Sequence, residues 1–185
     1  MEYFISDLHL EDEYIIKLFN RPFLNANEMD EKLIRNWNSV VNNDDKVYII
    51  GDLFSEFSIN IEKILPKLHG EKHLIIGNHD YSWINKIDLK KFFSSVSQIL
   101  NIKINEKLVT LCHYPMFDFD GKVLICGHIH NGKKEIFPYT KQVLSYNNIY
   151  NAGVEINNYR PVTFQELVKN NQNFKKNYEN VYEQQ

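Results

Sequence analysis

Short apolar runs alternate along the chain with longer stretches in which apolar residues recur at helical spacing. Five of the runs have the length and the content of β-branched residues that are typical of buried strands. They occupy residues 3–5, 47–50, 74–76, 108–112 and 123–126. The pattern therefore predicts a largely buried sheet system with helices between the earlier strands.

Three stretches of the first half are predicted to be helical. Apolar side chains recur at helical spacing over residues 29–41, and Asn27 is placed to cap the start of this amphipathic helix. A second helix is expected over residues 59–68, where Pro66 must bend or end it. A third helix is expected over residues 83–93. These helices alternate with the first strands of the chain.

The second half of the chain is richer in strands. Residues 98–105 and 107–112 flank a polar turn, and we expect them to form a hairpin. Residues 131–148 are expected to be a polar and aromatic loop, and a strand is predicted over residues 149–156. Helix and strand alternate first and strands dominate later, which indicates an α/β fold. In such folds ligands collect at the carboxyl ends of the strands.

The chain is expected to form one domain over residues 1–170, followed by a polar tail over residues 171–185. No internal repeat, low-complexity linker or change of composition divides it. A terminal helix is predicted from Phe164, and the polar tail is expected to fray from Asn170 onward.

Composition narrows the class of protein. The 185 residues are 43% hydrophobic and 24% charged, with a net charge of −3, as expected of a compact globular domain. No run approaches the roughly 18 apolar residues of a membrane span, so no membrane partner is expected. The first seven residues lack the basic leader and the continuous apolar core of a secretory signal. A cytoplasmic location is therefore expected.

Each of the five apolar runs is followed by residues able to bind a metal ion. These residues are Asp7, His9, Asp52, Asn78, His79, Asp80, His113, His128 and His130. A single Asp after a strand usually caps a turn, but these motifs contain five of the seven histidines of the chain. If the strands are neighbours, the donors converge on one rim of the sheet, where they would suit divalent metal ions.

In order along the chain, the motifs read Asp-x-His, Gly-Asp, Gly-Asn-His-Asp, a lone His and Gly-His-x-His. This series resembles the signature of the calcineurin-like metallophosphoesterase superfamily, in particular its small single-domain bacterial and phage members. The matching motifs span residues 7–130, about two thirds of the chain. The resemblance implies a four-layer α/β/β/α sandwich, in which two mixed β-sheets are flanked by helices.

The resemblance also implies ligands for two divalent metal ions. The first ion is assigned Asp7, His9, Asp52 and His130. The second is assigned Asp52, Asn78, His113 and His128, so that Asp52 would bridge the two. Two ions about 4 Å apart would polarise a shared water into a bridging hydroxide for in-line attack, and they would neutralise the phosphoryl oxygens.

Four further assignments concern catalysis and substrate binding. By the same resemblance, His79 is expected to stabilise or protonate the leaving oxygen, while Asp80 holds its imidazole in orientation. Arg21 and Arg160 each precede a proline, and similar segments occur in the small relatives. We hypothesise that one or both reach the rim and bind the substrate phosphate, since guanidinium pairs with phosphate oxygens. The alternative is an arginine in solvent.

The favoured function is a dinuclear metal-dependent phosphoesterase that acts on phosphodiesters or small phosphomonoesters, with phosphodiesters preferred. Manganese is the first choice of metal, and the mixed nitrogen and oxygen ligands also admit iron, zinc, nickel or cobalt. The stretch after Asp52 lacks the arginine with which phosphoprotein phosphatases of this superfamily bind phosphate. This lack argues against protein phosphatase activity.

Two alternatives stay open. A nuclease acting on single strands or ends would have nucleic acid as its partner, which the isoelectric point of about 6.2 does not favour. A non-catalytic, metal-stabilised interaction scaffold would be expected to lose His79 and Asp80, and this chain retains both. The expected partner is therefore a small phosphorylated substrate. The sequence does not specify an oligomeric state.

Overall fold

The computed structural model describes residues 1–182, which fold around two four-stranded β-sheets flanked by helices. The first sheet contains β1 (Glu2–Ile5), β2 (Lys46–Ile50), β3 (Glu71–Ile75) and β4 (Ser95–Ser97). The second contains β5 (Ile99–Ile104), β6 (Lys107–Cys112), β7 (Val123–Cys126) and β8 (Ile149–Asn151). This is the α/β sandwich that the sequence predicts.

Five α-helices connect or cover these strands in the described range. They are α1 (Glu13–Leu18), α2 (Ala26–Asn38), α3 (Ile61–Ile64), α4 (Thr140–Ser145) and α5 (Phe164–Tyr182). The cap of α2 differs from the prediction. Asn25 has an extended backbone and its side chain accepts a hydrogen bond from the Glu28 amide at 2.9 Å. Asn25 is therefore the N-cap, and Asn27 lies inside the helix.

One of the predicted helices ends in a short 3₁₀ turn, and another is replaced by such turns. The turns of the described chain are Leu65–Lys67, Asp80–Ser82, Ile84–Lys86, Leu89–Lys91 and Val154–Ile156. The predicted helix over residues 59–68 becomes α3 and then a 3₁₀ turn at Pro66, which has no amide hydrogen to donate. The prediction of one helix over residues 83–93 is wrong, because Asp88 accepts from the Lys90 amide and starts a separate turn.

The region that follows residue 131 also departs from its prediction. The expected loop over residues 131–148 contains α4, which is too short for its apolar spacing to be read from the sequence. The strand predicted over residues 149–156 ends at Asn151, and a 3₁₀ turn replaces its second half.

The tail does not fray from Asn170 as predicted. Helix α5 continues through the expected boundary at residue 170, and the Asn171 side chain is buried. Its carboxamide accepts from the Asn151 amide at 2.7 Å and donates to the Asn151 carbonyl at 2.9 Å. Residues 183–185 of the predicted tail lie outside the described residues.

The first sheet is parallel throughout, in the order β1-β2-β3-β4, whereas the second is mixed. There β5 is antiparallel to β6, while β6, β7 and β8 are parallel. The expectation of a mixed sheet is therefore right for the second sheet and wrong for the first. Crossovers through α2 and α3 return the chain to the same end of the first sheet, whereas a hairpin reverses it between β5 and β6.

The core is built from the two faces of each strand. Phe4, Tyr48 and Ile50 of the first sheet form one buried cluster with Val109 and Leu111 of the second. The alternate residues of β1 and β2 belong to a second cluster that includes the apolar face of α2. A bridge between Ser6 and Gly153 joins the two sheets along one edge. The five strands that precede the donor motifs therefore end close together.

Candidate metal centre

The loops that follow five strands meet at one end of the two sheets. The Asp7 amide donates to the Gly51 carbonyl at 3.0 Å, and the Gly127 amide donates to the His113 carbonyl at 2.9 Å. These bonds tie the loops after different strands to one another. The side chains brought together are Asp7, His9, Asp52, Asn78, His79, His113, His128 and His130.

One group of donors is buried. Asp7, His9 and His130 place ligand atoms within 4.8 Å of one another. The Asp7 carboxylate lies 3.7 Å from His130 Nε2 and accepts from the Ser6 hydroxyl and the His128 amide. Burial raises the pKa of Asp7 and lowers the pKa of His9 well below its usual value. The His9 ring is therefore neutral, the form in which imidazole binds a metal ion.

Asp52 lies between this group and a second one. Its Oδ2 is 3.7 Å from His9 Nε2 and 3.2 Å from His113 Nε2, and its Oδ1 accepts from the His79 amide. Burial opposes the charge, but the hydrogen bond and charge of His113 hold the pKa of Asp52 well below its usual value. Burial opposes the charge of His113 as well, but its hydrogen bond to Asp52 and the charge of Asp52 raise the pKa of His113 to about 9. The central carboxyl is therefore ionised.

The second group combines imidazole and amide donors with Asp52. The ligand atoms of Asp52, His113 and His128 lie within 4.8 Å of one another. Asn78 Oδ1 is 3.1 Å from both His113 Nε2 and His128 Nδ1. Burial lowers the pKa of His128 to about 4, so this ring is neutral at neutral pH. The amide oxygen and the two ring nitrogens converge on the same space.

His9 indicates that the protein alone does not satisfy this site. Both of its ring nitrogens are buried, and neither has a hydrogen-bond partner among residues 1–182. An unsatisfied buried polar group costs roughly 1–3 kcal/mol. A metal ion would remove part of this cost by accepting a ring lone pair, and the mixed donors suit a divalent transition metal. The residues therefore fit divalent metal ions.

Five of the donor residues have left-handed backbone conformations. The φ angle is positive at Asp7, His9, Asp52, His128 and His130, in a region that residues other than glycine seldom adopt. Such strain clusters at functional sites and persists where the surrounding structure holds it. Here the His9 amide donates to the Asp52 carbonyl at 3.0 Å, so the strained loops that follow β1 and β2 stabilise each other.

Two motif glycines leave room for the carboxylates. A Cβ atom on Gly77 would lie 2.3 Å from Asp52 Oδ1, and one on Gly127 would lie 2.7 Å from Asp7 Oδ2. A side chain at either position would displace a carboxylate of the site. The glycines of Gly-Asn-His-Asp and Gly-His-Ile-His are therefore required sterically.

Asp80 ties the loops of the site together and does not orient the ring of His79, so that expectation is wrong. Its two oxygens accept four hydrogen bonds, which fill the capacity of a carboxylate. The donors are the amides of Asp52, Leu53 and Gly77 and the indole of Trp83. Burial raises the pKa of Asp80 to about 6. The half-buried His79 ring instead lies edge-on to His9, with centroids 4.9 Å apart.

Arg21 does not reach the rim, so the hypothesis that it binds substrate phosphate is wrong. The residue is 4% exposed. Its guanidinium donates to the carbonyls of Asp7 and Leu8 and to Glu155 Oε1. Glu155 Oε1 in turn accepts from His130 Nδ1 at 2.9 Å. Arg21 and Glu155 therefore fix the loop and the imidazole of the buried donor group.

Glu155 is the site residue that sequence reasoning missed. It lies in the 3₁₀ turn after β8, outside every motif. Burial opposes its charge, but Arg21 and His130 hold the pKa of Glu155 well below its usual value. One signal was available, because metal-ligating histidines usually donate their second ring N–H to a carboxylate or carbonyl. That rule requires an acceptor but does not say where it lies in the sequence.

Arg160 is engaged at the start of α5. Its Nη2 donates to Glu166 Oε1 at 2.7 Å, while Glu166 Oε2 accepts from the Thr163 amide at 2.9 Å. The Thr163 and Glu166 side chains form a capping box for the helix. The structure does not bring Arg160 to the donors.

A family model described as calcineurin-like phosphoesterase matches residues 3–162. The chain belongs to this family. The matched range contains all the donors and Glu155 and ends before α5. With its clusters of metal-binding side chains, this chain is a metal-dependent phosphoesterase.

Two proteins similar to this phosphoesterase come from Methanocaldococcus jannaschii and from a mycobacterial phage. The uncharacterized protein MJ1445 of Methanocaldococcus jannaschii is 35% identical over an alignment of 173 positions, and the match covers 90% of this chain and 89% of the relative. The Gene 66 protein of Mycobacterium phage L5 is 29% identical over an alignment of 160 positions, and the match covers 70% of this chain and 77% of that protein.

One solved structure is similar over nearly the whole chain. It is the protein of unknown function AQ665 from Aquifex aeolicus, with a TM-score of 0.71 and 28% identity. The similarity covers 91% of this chain and 98% of that one. Separately, none of the helices within residues 1–182 is long and apolar enough to cross a membrane.

Proposed function

We propose that this phosphoesterase binds two divalent metal ions and hydrolyses phosphodiesters of small molecules. The observation that carries the proposal is the position of Asp52, whose Oδ2 is 3.7 Å from His9 Nε2 and 3.2 Å from His113 Nε2. One carboxylate adjoins both donor groups, which supports two neighbouring ions. The first would be held by Asp7, His9, Asp52 and His130. The second would be held by Asp52, Asn78, His113 and His128.

Two such ions, when bound, activate a water molecule as nucleophile and neutralise phosphoryl oxygens. Manganese is the metal to test first, and iron, zinc, nickel and cobalt are the alternatives, because imidazole, carboxylate and amide donors bind all of them. The unsatisfied ring nitrogens of His9 support metal binding independently of the family.

We assign to His79 the donation of a proton to the leaving group. Its half-buried ring lies beside that of His9, and its amide donates to Asp52 Oδ1 at 2.9 Å. Attack of water on phosphorus forms one P–O bond and breaks the bond to the leaving alcohol. The leaving oxygen takes a proton from the imidazole, and the proton lost by the water restores the protonated imidazole. Asp80 is a positioning residue, because its carboxylate joins the loops of Asp52 and Gly77.

The environment of the arginines favours diesters over monoesters. The chain has three arginines, and each pairs with a glutamate. The pairs are Arg21 with Glu155, Arg35 with Glu31 and Arg160 with Glu166. A phosphomonoester carries a second negative charge, which a guanidinium at the site would stabilise. A diester carries one charge and has no need of that partner.

The test compares hydrolysis of an aromatic phosphodiester with that of the matching monoester. The protein is stripped with a chelator and reconstituted with single metals. Asp52→Asn and His79→Ala are the test variants, while Asp44→Asn and His69→Ala change exposed residues of the same types and serve as controls. We expect metal-dependent diester turnover that both test variants lose and both controls keep.

Two other outcomes would contradict the proposal. Faster turnover of the monoester would replace the diesterase assignment with a phosphatase assignment. Absence of turnover with every metal, together with a metal-dependent rise in melting temperature and an unchanged His79→Ala variant, would identify a metal-stabilised scaffold.

A further inference from the structure

A cavity opens directly beside the second donor group. It has a volume of about 420 Å³, within the range of roughly 300–1,000 Å³ that is typical of small-molecule sites. Its lining includes Tyr114, Phe117, His128, Tyr139, Gln142 and Tyr146. His128 is shared, because its Nδ1 also faces Asn78 Oδ1 at 3.1 Å. A molecule that fills the cavity therefore reaches the donor group.

Three tyrosines and one phenylalanine of this lining are not covered by the rest of the fold, and Pro115, Met116, Val143 and Ile149 complete its apolar surface. Phe117 is 76% exposed and Tyr114 is 43% exposed. The ring centroids of Phe117 and Tyr146 are 6.1 Å apart, and those of Tyr114 and His128 are 4.8 Å apart. Single exposed aromatics are common on protein surfaces, but a convergent set beside a polar site is typical of a ligand-binding surface.

Apart from the candidate metal ligand His128, the polar groups of the lining are tyrosine hydroxyls and a carboxamide. No aspartate, glutamate, lysine or arginine is among the described residues that line the cavity. The tyrosine hydroxyls and the Gln142 carboxamide can donate and accept hydrogen bonds. A second phosphate would have no cationic partner here, whereas a flat ring with a polar edge would find both stacking surfaces and hydrogen-bonding groups.

We propose that this cavity binds a planar, uncharged heteroaromatic ring of the nucleobase type, carried by the phosphoester whose phosphate lies at the metal-binding residues. The inference rests on the proposed function for the position of the phosphate. The substrate class is then a nucleotide-like phosphoester with a single phosphate group. A saturated acyl chain would match the apolar part of the lining but would offer the tyrosine hydroxyls and the Gln142 carboxamide no hydrogen-bond partner.

The test measures binding by calorimetry, so that it does not depend on turnover. Adenosine 5′-monophosphate, methyl phosphate and octyl phosphate are titrated into the manganese-loaded protein. We expect the nucleotide to bind at least about tenfold more tightly than methyl phosphate, and more tightly than octyl phosphate, because stacking of a base on an aromatic side chain contributes that much. Tighter binding of octyl phosphate would overturn the proposal in favour of an acyl site.

Variants locate the binding site. Phe117→Ala and Tyr146→Ala are expected to weaken binding of the nucleotide about tenfold and to leave methyl phosphate unchanged. Phe117 is exposed, so its substitution preserves the fold. Tyr14→Ala removes an exposed ring that does not line the cavity and should change neither ligand. Unchanged nucleotide affinity in both cavity variants would overturn the proposal.

A further titration separates this inference from the proposed function. Adenosine carries no phosphate and needs no metal ion, so it is titrated into the chelator-treated protein. Binding that is lost in Phe117→Ala supports the ring site even if the protein hydrolyses no phosphoester. Absence of adenosine binding in a protein that hydrolyses phosphodiesters would reject the ring site and leave the proposed function standing.

Discussion

The two donor groups differ in what surrounds their histidines. The His130 ring stacks on Phe19, with centroids 3.9 Å apart, and donates to the buried carboxylate of Glu155. His128 is half-buried, and its ring contacts that of Tyr114 at the edge of the aromatic cavity. The first group is enclosed by protein, whereas the second opens toward the space that a ligand would occupy.

This difference indicates that the two donor groups have different roles. Enclosure fixes the positions of the ligand atoms, and the open side leaves room for the organic part of an ester. We therefore expect substitutions around the buried group to change stability and metal affinity. Substitutions around the open group should change substrate binding instead.

The largest expected effect is on stability, from Arg21→Met. This change leaves the buried carboxylate of Glu155 without its guanidinium partner, and breaking a buried ion pair costs about 3–5 kcal/mol. Arg160→Met is the matched control, because its pair with Glu166 is partly exposed and should contribute less than about 1 kcal/mol. Urea denaturation of the metal-free proteins measures both changes. Equal losses would contradict the comparison.

Glu155→Gln tests the buried group through metal affinity. The change removes the charge that His130 Nδ1 faces, and loss of such a partner typically lowers metal affinity by about 10–100-fold. Titration of manganese into the metal-free protein measures the effect. The exposed substitution Glu31→Gln is the control. An affinity equal to that of the wild type would show that the enclosure of His130 has no role in metal binding.

Tyr114→Leu tests the open group. Loss of the ring beside His128 is expected to raise KM for the aromatic phosphodiester about 2–10-fold. This factor corresponds to the roughly 0.5–1.5 kcal/mol that an aromatic pair contributes. Tyr114→Phe keeps the ring and should keep a KM near that of the wild type. Steady-state kinetics and manganese titration are compared. A loss of metal affinity with unchanged KM would reverse the assignment.

A separate expected effect is a pH dependence of stability at Asp30, beside the loop that follows His9. Both Asp30 oxygens accept from the Glu11 amide, and burial raises the pKa of Asp30 to about 7. The unfolded carboxyl loses its proton near pH 4, so the stability contributed by this group is present below that pH and is lost as the pH rises to about 7.

Asp30→Asn should remove that dependence. The difference in free energy of unfolding between the variant and the wild type is expected to shift in favour of the variant between pH 5 and pH 8. Urea denaturation at the two values measures the difference, and the exposed substitution Asp44→Asn should show none. An Asp30→Asn variant with the same difference from the wild type at both pH values would contradict the assignment.

The donor residues could be predicted because each follows an apolar run directly. Once those runs are neighbouring strands, their ends meet at one rim, and the local pattern is enough to place Asp7 and Asp52 there. The same reasoning fails at residues 83–93, where the side chain of Asp88 starts a new turn within a stretch of helical spacing.

The sequence could not distinguish the environments of Arg21 and Arg160, because each precedes a proline. Their difference comes from partners at different distances along the chain. Glu166 is six residues from Arg160, whereas Glu155 is 134 residues from Arg21 and meets it only in the folded protein. The supporting residues of the buried group therefore depend on long-range packing, which local patterns do not contain.

The left-handed backbone of the donor loops has a consequence for the order of assembly. The bonds that hold these loops, such as that from the His9 amide to the Asp52 carbonyl, lie entirely within the chain. We therefore expect the donor loops to form when the polypeptide folds, with metal binding as a separate step. The ions bound would then depend on which ones are available, because these donors accept several divalent metals.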